Sequence, residues 1–433
     1  MFTNIEQCVK FLSSLKKGSS TSIPLEVVKS LLHQFGDPQH TFKTIHLAGS
    51  NGKGSTLNAL KEILKYSQVK KVGCFVSPHL ERINERITIS DKQISDEQFL
   101  YYVNKVFAAI DEKNGVYPSF FEILTIVACL YFADEEVDVA LIETGIGGKL
   151  DSTNVINPLI SIITTISLEH TAILGDTYEE IAYQKGGIIK ENRPVVTTVE
   201  NKEALKVLRK IAEEKHAPIA IFKEDFVATK VTQKVHAQIF NYAKEEYVIN
   251  DVELRMAGPH QINNASLAIT TALLLRDAGY FDITEEAVRK ALKEAKWAGR
   301  FEEYAHHIII DGAHNPEGTE ALITTLKAKF PTREYDFIYA ALQDKDHLKS
   351  IQMMEEVASS MTFTQISMPN AAPAAELAAL SQHHHTHFDS EWERVVKRAT
   401  EEKEEEHVLV ITGSLYFISE VRAFLNNKVK QNK

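Results

Sequence analysis

Lys43-Thr44-Ile45-His46-Leu47-Ala48-Gly49-Ser50-Asn51-Gly52-Lys53-Gly54-Ser55-Thr56 is the stretch that decides the fold. Its first six residues make a short, mostly apolar run that stops at a glycine cluster, and Ser55 to Tyr66 then carries apolar residues at helical spacing. The pattern predicts strand, glycine loop, helix. A loop in that place offers free backbone N–H groups and the positive end of a helix dipole, which together favour an anion such as phosphate. Gly49, Gly52 and Gly54 permit φ > 0 and let the backbone wrap the phosphates. Lys53 would reach the β and γ phosphates of a nucleotide, and Ser55 or Thr56 would bring a hydroxyl near a metal ion. The stretch departs from G-x-x-x-x-G-K-[ST], because Leu47 stands at the first position and Gly54 separates Lys53 from Ser55. A glycine-rich turn with no ligand is the alternative reading.

Further buried-strand candidates lie at Val72 to Val76, Val137 to Ile142, Leu159 to Thr164 and Pro194 to Thr197, separated by helical patterns such as Phe120 to Phe132. This alternation predicts an α/β fold with a doubly wound, mostly parallel sheet. Between Phe226 and Met256 the apolar residues thin out and partly alternate, which suggests a small antiparallel appendage. Helical stretches from His260 to Ala278 and from Glu285 to Ala295 then lead to Trp297-Ala298-Gly299-Arg300, where the domain boundary is expected. Residues 1–298 would form a large phosphate-loop ATPase domain, and 299–433 a smaller, Rossmann-like C-terminal α/β domain. Its strands are expected at His307 to Ile310, Asp336 to Ala341, Met361 to Ile366 and His407 to Ile411. Gln382-His383-His384-His385-Thr386-His387 reads as a solvated loop, with fortuitous metal binding as the alternative. Glu401 to Glu406 reads as an exposed helix face.

A chain of 433 residues exceeds the roughly 250–300 at which single cores stop growing, so two domains are the expectation on length as well. Hydrophobic residues at 44% and charged ones at 25% are ordinary for a soluble globular protein, which excludes general disorder. A net charge of −11, spread along the chain, argues against a nucleic-acid surface and for a small-molecule substrate. Cys8, Cys74 and Cys129 are odd in number and far apart, with no C-x-x-C pair, which fits a reducing cytosol. The first 18 residues have helical apolar spacing without an uninterrupted apolar run, and no segment approaches a membrane span. A cytoplasmic protein, without nucleic-acid or membrane partners, is expected.

Glu143 ends an apolar strand before a glycine-rich turn, so it should emerge at the carboxyl edge of the sheet, where open α/β folds bind ligands. A carboxylate there suits Mg²⁺, which prefers oxygen ligands and keeps several waters; a turn-stabilising Glu is the alternative. His170 follows the next strand and approaches the same edge; a structural hydrogen-bonder, the commoner role of a lone His, is the alternative. Arg300 at a hinge would clamp phosphates, and Asp311 ends a strand of the second sheet, although either would also suit an interdomain ion pair. Phe120 and Phe121 open an apolar helix and by spacing alone belong to the core. On sequence alone Lys185, in Tyr183-Gln184-Lys185-Gly186-Gly187-Ile188, reads as solvated.

The loop variant Gly-x-Asn-Gly-Lys-Gly-Ser resembles the Mur ligase superfamily and, within it, the folylpolyglutamate synthase and dihydrofolate synthase family. Further blocks carry the resemblance in order: Ser77-Pro78-His79-Leu80 with Asn84-Glu85-Arg86-Ile87, Glu143-Thr144-Gly145-Ile146-Gly147-Gly148 with Asp151-Ser152-Thr153-Asn154, His260-Gln261 with Asn264-Ala265, Gly299-Arg300, and Asp311-Gly312-Ala313-His314-Asn315-Pro316. They run from Gly49 to Pro316, and the rest of the chain fits the family by pattern only. The resemblance implies that Gly49 to Thr56 bind ATP, that Ser77, Glu143 and His170 hold magnesium, and that Asn264 contacts adenine. It implies further that Arg300 and Asp311 contact ATP, and that His314 touches the nucleotide or the glutamate. Phe121 would stack near a pterin, the Ser77 to Arg86 loop with Pro78 and His79 would border the folate pocket, and Asp151 would lie nearby. Lys185 matches a lysine that many members carry as a carbamate, an oxygen ligand able to join Glu143 and His170 around a second metal ion.

The activity implied is ATP-dependent ligation of L-glutamate to a folate, either dihydropteroate or a reduced folate tail, by a monomeric enzyme. Amide formation from a free carboxylate is uphill in water, so the carboxylate would first attack the γ-phosphate to give an acyl phosphate, with Lys53, Arg300 and Mg²⁺ stabilising charge. No protein nucleophile is needed, and no Ser-His-Asp or Cys-His constellation is evident. Gly147 to Asn154, with its Leu150-Asp151 pair, resembles bifunctional bacterial members. Two rival readings are a cell-wall amino-acid ligase, which usually has an extra N-terminal domain where this chain has only about 40 residues, and a phosphate-loop switch that ligates nothing. The switch would leave Glu143, His170, Arg300 and Asp311 unexplained.

Overall fold

Lys43–Ala48 forms strand β1, buried at five of its six positions as a central strand covered on both faces must be. The structure is a computed structural model that describes residues 1–15, 24–110, 118–234, 236–305, 307–343 and 347–431; Lys16-Lys17-Gly18, the end of the N-terminal amphipathic stretch, lies outside them. After β1 come β2 (Val72–Phe75), β3 (Ile87–Ile89), β4 (Lys92–Gln93), β5 (Val139–Glu143), β6 (Ile160–Ile163), β7 (Val195–Thr197) and β8 (Ile219–Ile221). They make one eight-stranded sheet in the order β4-β3-β2-β5-β1-β6-β7-β8. Pairing is parallel from β2 to β8 and antiparallel only where β3 and β4 close one edge. The mostly parallel expectation holds, and β3, β4 and β8 were missed because two or three residues are too few to show a period.

The strand order reverses beside β1, which has β5 on one side and β6 on the other, so the carboxyl end of β1 lies at a topological switch point. Register brings Leu47 opposite Glu143 and Ala48 opposite Ile163. The glycine loop therefore leaves the sheet directly beside the carboxylate at the end of β5. Behind it, the helix Phe120–Asp134 is apolar all round and buried from Glu122 to Phe132, as a core helix should be. It packs with Phe75, Phe99, Val103 and Ile142 in one cluster, while Ile163, Ile181, Ile188 and Leu208 belong to another.

Residues 227–254 form a separate three-stranded sheet of β9 (Val227–Gln233), β10 (Gln238–Lys244) and β11 (Tyr247–Leu254), in the order β11-β10-β9. The chain divides into two compact units: Met1–Thr229 with Phe240–Glu253 and Asn263–Ala295, and Lys230–Ile239 with Leu254–Ile262 and Lys296–Lys433. In the second unit β12 (Glu302–Ala305), β13 (Ile308–Ile310), β14 (Glu334–Tyr339), β15 (Ala358–Phe363), β16 (Thr386–Phe388) and β17 (His407–Thr412) form a six-stranded sheet in the order β12-β13-β17-β14-β15-β16. All its pairings are parallel except β12 with β13. Ile309, Leu326, Phe337, Phe363 and Val410 anchor its core.

Two sequence expectations fail here. The histidine run is not a solvated loop throughout: Thr386 and His387 enter β16, which pairs with β15, and His383 Nε2 lies 3.0 Å from the Ala358 carbonyl oxygen. Alternation cannot reveal so short an edge strand. The helix Trp392–Glu402 ends inside the Glu401 to Glu406 run, so only its first two residues lie on a helix. Among the described residues no helix is long and apolar enough to cross a membrane.

Candidate active site

The helix Lys53–Tyr66 begins at Gly52 with no side-chain cap and no acidic residue in its first turn, leaving its first N–H groups available to an anion. Gly49, at φ +149°, and Gly52, at φ +91°, take conformations that L side chains rarely adopt. The loop is held by the residues just past β6: Ser50 N–H donates to the Thr165 carbonyl at 2.8 Å, Asn51 N–H to Thr165 Oγ1 at 3.0 Å, and Thr164 Oγ1 donates to the Asn51 carbonyl at 2.6 Å. A Cβ on Gly49 would sit 1.9 Å from Thr164 Oγ1 and 3.1 Å from its backbone nitrogen. Gly49→Ala should therefore cost about 1–3 kcal/mol of stability and raise the KM for ATP. Thermal melts with ATP-dependence kinetics check this, and an unchanged Tm with normal ATP kinetics would show that the loop is not so confined.

Lys53 Nζ donates to the Gly49 and Ser50 carbonyls at 2.8 and 3.2 Å, curled onto its own loop, and lies 3.9 Å from Glu143 Oε1. Glu143 is 4% exposed, and its Oε2 accepts from Ser77 N–H at 3.1 Å. Lys53, Ser77 and Glu143 thus meet at the switch point. Ser55 and Thr56 are buried in the first helical turn, and Thr56 Oγ1 has no hydrogen-bond partner. Asn264 packs on the same loop, its Oδ1 being 2.3 Å from where a Gly52 Cβ would stand. Among the described residues no three His, Cys, Asp or Glu side chains converge as a metal cage. One buried carboxylate and a nearby serine instead fit a hard cation that keeps waters and takes its remaining ligands from nucleotide phosphates, as Mg²⁺ does.

Lys185 is not solvated. It lies in the helix Tyr178–Gly186 with 2% side-chain exposure, its Nζ donating to Glu169 Oε1 at 3.0 Å. Local sequence could not show this, because the side chain is enclosed with Glu169, from another element, in a helix whose neighbouring Gly186 packs against Leu208 and Ile211 of Lys202–Glu214. Burial lowers the Lys185 pKa to about 8, opposed by Glu169 and aided by the charge of Lys53. Burial alone would raise Glu169, but Lys185, Lys53 and a hydrogen bond from Ser50 outweigh it and hold the carboxyl at about 2. Glu169 was not singled out from the sequence, although the signal that placed His170 applied to it as well: it lies in the segment that follows the buried strand β6. His170, at φ +48°, follows directly and precedes the helix Thr171–Leu174.

The turn after Glu143 builds an aromatic wall. Phe121 stacks on Phe75 with centroids 5.5 Å apart and presses on Gly145, whose Cβ would lie 2.8 Å from its ring. Asp151 shapes that turn. Its Oδ2 accepts from the Gly145 and Ile146 N–H groups at 2.9 and 3.0 Å, and its Oδ1 from the Thr153 N–H and hydroxyl at 3.0 and 2.5 Å. The loop of Pro78 and His79 follows Ser77, whose N–H reaches Glu143. Arg86, the end of the loop expected to border the folate pocket, donates from Nε to His79 Nδ1 at 2.8 Å and lies 5.2 Å from the Phe120 ring centroid. Burial and that guanidinium lower the His79 pKa to about 4.

Within the second unit, Asp311 accepts from Phe301 N–H at 2.7 Å and Ala313 N–H at 2.8 Å. Its burial raises the carboxyl pKa against the opposing charge of Arg300. Gly312 leaves room for Arg300, whose Nη1 would be 2.9 Å from a Cβ there. His314 Nδ1 lies 2.8 Å from the Gly312 carbonyl, and Asn315 caps the helix Pro316–Lys329. Arg300, Asp311 and His314 are thus neighbours.

Residues 47–272 match the Mur ligase middle domain and residues 299–415 the Mur ligase glutamate ligase domain. The chain is 37% identical over 401 residues to the dihydrofolate synthase/folylpolyglutamate synthase of Bacillus subtilis, covering 91% of this chain and 93% of that one. The chain belongs to the folylpolyglutamate synthase and dihydrofolate synthase family. The folylpolyglutamate synthase of Lacticaseibacillus casei is 34% identical over 429 residues, 98% of this chain and 99% of that one. A crystal structure of folylpolyglutamate synthase from Thermotoga maritima superposes with a TM-score of 0.84 at 33% identity, covering 98% and 96% of the two chains. As a member of this Mur ligase family, the chain is an ATP-dependent amide-bond-forming ligase.

Proposed function

We propose that the chain joins the amine of L-glutamate to a carboxylate of a folate, with ATP converting that carboxylate into an acyl phosphate. The observation that carries this is the meeting of Lys53, Glu143 and Ser77 beside the Phe121 wall. Nucleotide and acceptor would then share one edge of the sheet. The family membership and the names of the relatives support the substrate class.

Lys53 would leave its loop carbonyls for the γ-phosphate, and Arg300 would add charge to the same group. Asn264, Asp311 and His314 would hold the nucleotide, and Phe121, Pro78, His79 and the Asp151 turn the pterin. Glu143, Ser77 and His170 would hold Mg²⁺, which when bound neutralises charge on the β and γ phosphates. The amine of glutamate then attacks the acyl carbon and phosphate leaves, so no side chain of the enzyme becomes acylated. A monomeric, cytoplasmic enzyme is the setting proposed.

A second acceptor is favoured by the Leu150-Asp151 pair in the Glu143 turn: the same site would take dihydropteroate as well as the γ-carboxyl of a reduced folate. Mass spectrometry of products, with dihydropteroate and tetrahydrofolate offered separately alongside glutamate, ATP and Mg²⁺, tests both statements. Expected are one added glutamate on dihydropteroate and one or more on tetrahydrofolate, with ADP released only when acceptor and glutamate are both present. ADP release independent of both, with no new product, would leave a nucleotide switch instead.

A further inference from the structure

His46 lies in the middle of β1, fully buried, and its Nε2 is 2.8 Å from Thr153 Oγ1. The Thr153 hydroxyl donates to Asp151 Oδ1 at 2.5 Å. Its single proton is therefore committed, and it must accept from the imidazole. This fixes the tautomer: the proton sits on Nε2 and Nδ1 is bare. Nδ1 indeed has no partner and no access to solvent, an arrangement a fold retains at a cost. A leucine there would avoid the orphaned atom. What the imidazole alone supplies is the donor to Thr153.

Downstream of that donor, Asp151 carries the turn. Its other oxygen holds the Gly145 and Ile146 N–H groups, and Gly145 bears on Phe121. We infer that His46 is a positioning residue for acceptor binding: through Thr153 it orients Asp151, and through Asp151 it sets the Gly145–Ile146 backbone against which Phe121 and a pterin ring must pack. The inference rests on the folate reading proposed above. Burial, with the charge of Lys190, lowers the His46 pKa to about 3, so its donor role does not change across the working range of the enzyme.

The test is kinetic, on the full-length enzyme, with dihydropteroate and tetrahydrofolate as acceptors. His46→Leu removes the donor. Thr153→Val removes the relay with almost no change of volume and serves if His46→Leu does not fold. His46→Gln keeps an N–H near the position of Nε2. Loss of the one neutral His46–Thr153 hydrogen bond corresponds to about threefold to tenfold, so His46→Leu should raise the acceptor KM by that factor and Thr153→Val, which also removes the hydroxyl's bond to the Asp151 carboxylate, by at least as much, each with the KM for ATP within about twofold of wild type. His46→Gln should recover most of the loss, and the double variant should be no worse than Thr153→Val alone. An equal rise in both KM values, or a lowered Tm with both KM values unchanged, would make His46 a structural residue only. A wild-type enzyme that adds no glutamate to either acceptor would overturn the folate reading itself, a result distinguishable from failure of the relay.

Discussion

Lys53→Ala is expected to lower turnover by at least about 10³-fold, the scale of losing a preorganised charge at a transferring phosphoryl group. The side chain is poised for that role because its three neighbours, the Gly49 and Ser50 carbonyls and Glu143 Oε1, are all parts of the site. Its removal should therefore leave the core intact. Far-ultraviolet circular dichroism should be unchanged and the Tm should move by only a few degrees, since the helix Lys53–Tyr66 keeps its buried apolar residues. Lys53→Arg should recover little, because a planar fork cannot replace a compact ammonium in so tight a loop. ADP release measured with folate and glutamate present decides the matter. Near-normal release from a folded Lys53→Ala variant would sink the phosphate-loop assignment and with it the reading of Glu143.

The parts of this site legible in the sequence were those written in local pattern. A strand that stops at the Gly49 to Gly54 cluster and a helix from Ser55 follow from periodicity and glycine placement, the structure starting that helix two residues earlier, at Lys53. So does Glu143 at a strand end, because a strand that runs apolar to its last residue must deliver that residue to the sheet edge. What stayed hidden depends on elements far apart in the chain meeting in space. Lys185 and Glu169 are 16 residues apart and become partners only when the helix Tyr178–Gly186 docks. His46 and Thr153 are 107 residues apart. The short strands β3, β4, β8 and β16 were missed for a different reason: tertiary pairing, not local preference, makes them strands. Arg86 was placed only as the end of the Ser77 to Arg86 loop, and local pattern could not show that it is 5% exposed and tied to His79.

Lys185→Ala should be nearly as damaging as Lys53→Ala, for a reason that the Glu169 contact makes sharper. As an ammonium, Lys185 is the ion-pair partner of Glu169 and would repel a magnesium ion brought near Glu143 and His170. A pKa lowered to about 8 leaves an appreciable fraction of neutral amine near neutral pH, which is the form that takes up CO₂. Carbamylation would then exchange a cation for a carboxylate and turn Glu169 from a partner into a like charge. That exchange is tolerable only if a divalent cation sits between the two anions, so the modification and the metal should require each other. Truncation to alanine removes both forms of the side chain and leaves Glu169 with Lys53 and Ser50. Breaking a buried pair outright costs about 3–5 kcal/mol; with Lys53 and Ser50 still facing Glu169 the loss should fall below that range, and the Tm should drop measurably alongside activity. Acetate at high concentration should restore part of the activity by filling the vacated oxygen position, and only when magnesium is present. Rescue without magnesium would point to simple repair of packing. A fully active Lys185→Ala variant would remove the carbamate from the mechanism.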